Sequence, residues 1–110
     1  MAGGVTAKLL PAVVAGLLLM AIGTGAPAAE YQIVVANMKF GSLPNSLRVG
    51  DVIVWRNDDI FRHTATARDA SFDIDLPAKS QARITIKQVG AVEFYCRFHP
   101  MMTGKLSILP

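Results

Sequence analysis

A single cysteine, Cys96, stands in a chain of 110 residues. That scarcity excludes an intramolecular disulfide, a binuclear thiolate centre and a Cys-rich zinc or iron–sulfur site. Histidine is nearly as rare, with only His63 and His99. Runs of basic residues are missing as well. Lys and Arg are spread singly, so nothing points to nucleic acid or to an anionic lipid surface. The first 28 residues have no acid and no aromatic, and Lys8 is their one charge. All other charged residues and every aromatic lie in 29–110, a stretch long enough for one domain and too short for two cores.

Leu9 to Ile22 is an uncharged apolar run that follows Lys8. It is short for a bilayer span, which needs about 20 residues. Gly23-Thr24-Gly25 breaks it, and Ala26-Pro27-Ala28 then places small residues where a signal peptidase needs them. Residues 1–28 therefore read as a secretory signal peptide, cut after Ala28 or Ala29. An uncleaved anchor is the alternative, since 9–29 carry no charge. Export sharpens the cysteine question, because an unpaired thiol in an oxidising compartment is a liability. Cys96 must be buried, partnered or ligated.

The body reads as strands. Tyr31–Ala36 is β-rich, and Ser46–Val49 runs through Gly50-Asp51 into Val52–Trp55. Arg62–Ala67 alternates; Gln81–Lys87 sets Ala82, Ile84 and Ile86 on one face. Ala91–Cys96 aligns Val92, Phe94 and Cys96, and Lys105–Leu109 turns Leu106 and Ile108 inward. Turn residues separate these segments, and no window beyond the leader keeps a helical apolar period. Short strands at this spacing predict an all-β antiparallel sandwich or barrel. Asp58, Asp59, Asp69, Asp73 and Asp75 read as solvated loop charges or a docking patch, with no calcium site among them.

The chemistry concentrates in Cys96-Arg97-Phe98-His99-Pro100-Met101-Met102-Thr103-Gly104. A thiolate, an imidazole and a thioether stand three residues apart at the end of an apolar strand, and His63 lies on another predicted strand. Two imidazoles, a thiolate and a weak axial thioether form the donor set of a mononuclear copper site. Each residue has a plainer reading: a strand histidine, a core cysteine, a methionine filling a gap. Together they account for both histidines and the only thiol. Zinc is the metallic competitor, though a thioether suits it poorly. A Cys96 nucleophile with His99 as base is an enzyme alternative that lacks an orienting third group.

These residues resemble the cupredoxins, most closely the amicyanin and plastocyanin-like members, over nearly all of 29–110. Ala36-Asn37-Met38-Lys39-Phe40 and Leu47 through Asn57 resemble the family's run before its first histidine ligand, where Arg62-His63-Thr64 follows. Glu93-Phe94-Tyr95-Cys96 with His99, Pro100 and Met102 resembles its copper loop, in the short amicyanin-like form. The resemblance implies a Greek-key β-sandwich and one type 1 copper held by His63, Cys96, His99 and Met102. It further implies single-electron transfer in the periplasm without catalysis. Phe98, His99, Pro100 and Met101 would form the electron port and docking patch. The implied partners of this monomer are redox proteins docking transiently, a c-type cytochrome or a periplasmic dehydrogenase among the candidates. A copper carrier or chaperone is the second functional reading. Two residues depart from the pattern. Thr64 replaces an Asn whose side chain ties its strand to the Cys loop, and Phe98 replaces a proline, adding an N–H that could point at the sulfur.

Overall fold

The computed structural model describes residues 27–110, so the leader read over 1–28 lies outside the described residues except for its last two. Nine strands follow one another there: β1 (Glu30–Ala36), β2 (Lys39–Phe40), β3 (Leu47–Arg48), β4 (Val52–Asn57), β5 (His63–Ala67), β6 (Asp73–Leu76), β7 (Gln81–Thr85), β8 (Gly90–Tyr95) and β9 (Thr103–Leu109). They form a four-stranded sheet, β2-β1-β4-β7, facing a five-stranded one, β3-β9-β8-β5-β6. This is the expected all-β Greek-key sandwich.

Alternation supplies its core. Val92 and Phe94 of β8 and Leu106 and Ile108 of β9 turn inward, while Glu93, Lys105 and Ser107 face out. Strand β4 lies inside its sheet and is buried along most of its length, and β5, between β8 and β6 in the other sheet, is buried throughout. Two pairings, β1–β4 and β3–β9, run parallel, against the antiparallel expectation. After β1 the chain turns back through β2, crosses to the opposite sheet at β3 and re-enters the first sheet at β4 running in the direction of β1. The buried carboxylate of Asp51 fixes that crossing by accepting from the Ala29 and Arg48 amides.

Strands β2 and β6 are not among the predicted ones. β6 corrects the reading of Asp73 and Asp75 as loop charges: they are the outward residues of a strand whose Ile74 and Leu76 are buried.

Phe94 is the hub of the interior. Its ring packs edge-on to Trp55 and Phe40, with centroids 5.3 and 4.8 Å away, and against Phe72. Across the β8–β9 ladder its partner is Gly104, where a Cβ would drive into the Phe94 ring. Glycine at 104 thus lets the ring lie flat on the backbone just beyond the Cys96 loop. Gly104→Ala is expected to cost roughly 1–3 kcal/mol as an overpacking change. Denaturant titration would show a lowered midpoint; an unchanged one would mean that the ring moves aside freely.

Candidate metal centre

β5 and β8 pair antiparallel, Thr66 opposite Tyr95 and Ala67 opposite Phe94. That brings the start of β5, His63, to the same end of the sandwich as Cys96, which follows β8 directly. Continuing the register would set Thr64 opposite Arg97, and there the backbone ladder stops. Each amide takes a side-chain acceptor instead: Thr64 N–H donates to Cys96 Sγ at 3.3 Å, and Arg97 N–H to Thr64 Oγ1 at 2.9 Å. The threonine therefore makes the tie for which the family pattern uses Asn. The loop then doubles back, Met102 N–H donating to the His99 carbonyl and Cys96 N–H to that of Met102.

Three donors converge. Cys96 Sγ lies 3.8 Å from His63 Nδ1 and 3.6 Å from His99 Nδ1, and the three atoms sit within 4.8 Å of one another. Metal–nitrogen and metal–thiolate bonds of about 2.0–2.3 Å at angles between tetrahedral and trigonal span about 3.6–3.8 Å. The spacing therefore fits one shared ion. His63 and Cys96 are fully buried, and His99 is half-buried. Met102 is buried in the cluster that holds Cys96, whereas Met101 is 94% exposed, so only the former is placed to face the centre. Soft thiolate and thioether with two imidazoles suit copper.

His63 Nε2 lies 2.7 Å from Asp59 Oδ2. A carboxylate only accepts, so Nε2 carries the proton and Nδ1 offers its lone pair to the centre. Asp59 also accepts from the amides of Asn37 and Met38, the two left-handed residues of the β1–β2 hairpin turn. Partial burial works against its charge, but the hydrogen bonds from Met38, His63 and Asn37 prevail and hold the carboxyl below its ordinary value. Asp59 is thus not the solvated loop charge that its surroundings in sequence suggest. Its place four residues before His63 is the only local signal of this role.

Phe98 departs from expectation. Among the described residues the backbone donor to the sulfur is Thr64, and the Phe98 amide is not one. The Phe98 ring is instead half-exposed, between the guanidinium groups of Arg62 and Arg97 at 5.7 and 5.6 Å. Beside His99 it joins exposed Pro100, Met101 and Phe61, the Phe61 ring 6.5 Å from the imidazole, and exposed Ile60, which precedes Phe61 in the chain, extends this apolar surface. Ile60 was not foreseen; two apolar residues in an otherwise charged turn were its sign.

No family model matches the chain. Amicyanin of Paracoccus versutus is 25% identical over 130 residues, covering 94% of this chain and 98% of that protein. Amicyanin of Paracoccus denitrificans is 29% identical over 91 residues, covering 76% and 70%. Among solved structures, a Cu(I) amicyanin mutant superposes with a TM-score of 0.65 at 20% identity, over 73% of this chain and 82% of the other. The chain thus has the cupredoxin fold and resembles amicyanin.

Removing the Asp59 carboxylate should free the His63 ring and the hairpin turn together. Asp59→Ala is expected to weaken copper binding about 10–100-fold, read by competition with a chelator of known affinity. Unchanged affinity would mean that packing alone orients the ring.

Proposed function

We propose that this chain is a periplasmic blue (type 1) copper protein that carries single electrons between redox partners. Residues 1–28 would act as its export signal and 29–110 as its copper-binding domain. The observation that carries the reading is the convergence of His63 Nδ1, Cys96 Sγ and His99 Nδ1 at 3.6–3.8 Å, beneath an apolar surface. His63, Cys96, His99 and Met102 are the proposed ligands. Copper, when bound, supplies one-electron exchange between Cu(I) and Cu(II).

The protein's part is to hold the donors still. His63 is locked by Asp59 and burial, and Cys96 by the Thr64 amide and its place at the end of β8. Donors that scarcely move between oxidation states keep the reorganisation small. Half-buried His99 is the proposed electron port. Phe98, Pro100 and Met101, with Phe61 and Ile60, offer partners such as a c-type cytochrome or a periplasmic dehydrogenase an apolar face for brief docking. No helix among the described residues is long and apolar enough to cross a membrane.

A Cys–His enzyme fits less well, since a fully buried thiol between two imidazoles is out of a substrate's reach. A copper carrier would use the same ligands and differ by releasing copper readily without reversible redox cycling.

Loading the domain with Cu(II) should give an intense visible thiolate-to-copper band that ascorbate bleaches and an oxidant restores. Cys96→Ser should abolish it, Met102→Gln should shift it, and Met101→Gln should leave it unchanged. A colourless loaded protein, or full colour in the serine variant, would refute the assignment.

A further inference from the structure

Thr64 belongs to a longer circuit. Its Oγ1 lies 2.9 Å from Thr66 Oγ1, and Thr66 Oγ1 donates to Asp73 Oδ1 at 2.8 Å. The same Asp73 oxygen takes Arg97 Nε at 3.2 Å. The direction of every bond follows from proton counting, because a hydroxyl has one proton to give. Asp73 as a carboxylate can only accept, so Thr66 spends its proton there. Thr66 Oγ1 must then accept from Thr64, and Thr64 Oγ1, its proton spent, is left as acceptor for the Arg97 amide. Thr64 is fully buried and Thr66 nearly so, whereas Asp73 stands on the surface at the edge strand β6.

We propose that Asp73 is a positioning residue for the metal centre, setting through the hydroxyls of Thr66 and Thr64 the hydrogen bonds of the two amides beside the Cys96 sulfur. Those are the Arg97 amide, in the peptide that follows Cys96, and the Thr64 amide, which donates to the sulfur. With the relay intact, Thr64 has one side-chain orientation that satisfies all its partners. Cutting it leaves a buried hydroxyl free to turn and take the Arg97 amide's acceptor away. The peptide after Cys96 then loosens, and the N–H to sulfur bond with it. A sulfur with a weaker hydrogen bond donates more strongly and favours Cu(II).

The relay itself does not depend on copper; only its effect on the metal rests on the function proposed above. Thr66→Val cuts it without changing charge or shape. In the metal-free protein, amide hydrogen exchange at Arg97 is expected to quicken roughly tenfold in this variant, the equivalent of one lost hydrogen bond. The amides of the β8–β9 ladder should keep their rates. Thr66→Ser, which keeps the hydroxyl, should restore the wild-type rate. In the copper-loaded proteins, Thr66→Val should lower the reduction potential and Thr66→Ser should not. Should the valine variant fold poorly, Asp73→Ala and Arg97→Gln form the second pair. Both break the Asp73–Arg97 ion pair, but only the first cuts the relay, so only the first should quicken exchange of the residue 97 amide beyond its intrinsic rate. Wild-type exchange in Thr66→Val, or equal effects of the Asp73 and Arg97 variants, would overturn the proposal. Faster Arg97 exchange in a protein that shows no thiolate–copper band would uphold the relay and overturn the copper reading alone.

Discussion

The metal end of this protein depends on where the β5–β8 ladder stops. Strands that paired to their ends would draw Thr64 and Arg97 together through backbone carbonyls and leave no room for a thiolate. Here the sulfur of Cys96 and the hydroxyl of Thr64 stand in for those carbonyls, so the strands part without stranding an amide. Buried N–H groups need acceptors, and this need holds the sulfur in place. His63 arrives as the first residue of the same strand, and the return of the loop to β9 brings Met102 beneath it.

Much of this was legible in the residues. Period-two alternation located β7, β8 and β9, where inward apolar residues take turns with polar ones. β1, β3 and β4 stood out as β-rich runs bounded by turn residues, and the alternating Thr and Ala of β5 marked a strand that is in fact buried on both faces. β6 was hidden because its outward residues, Asp73 and Asp75, are also turn formers, and only Ile74 and Leu76 mark the inward face. The parallel pairings could not be read from single strands, since direction is set by which sheet the chain visits in between. Of the site, the Cys96 loop stood out through its donor types and spacing. Asp59, Thr66 and Asp73 did not, because a second layer of polar contacts depends on three-dimensional register and carries no motif.

Two layers of hydrogen bonds surround the donors in different ways. On the His63 side a single carboxylate, Asp59, joins the imidazole to the hairpin turn at Asn37 and Met38, a backbone shape that methionine seldom adopts unaided. On the Cys96 side the contacts are amide and hydroxyl groups, uncharged next to the sulfur and reaching a charge only at Asp73. Negative charge thus stands behind the imidazole, where it strengthens a donor, and is kept away from the sulfur, where it would repel.

The two arginines that flank the Phe98 ring each carry their own counter-charge on β6, Arg62 with Asp75 and Arg97 with Asp73. The rim of the apolar face therefore presents closed ion pairs rather than a field of one sign. Long-range attraction between unlike surfaces speeds encounter and fades with ionic strength; a rim already neutralised has little of it to lose. At this face itself, steering would add little to diffusion and orientation, and whatever quickens or slows with ionic strength would come from the positive excess carried on the rest of the surface.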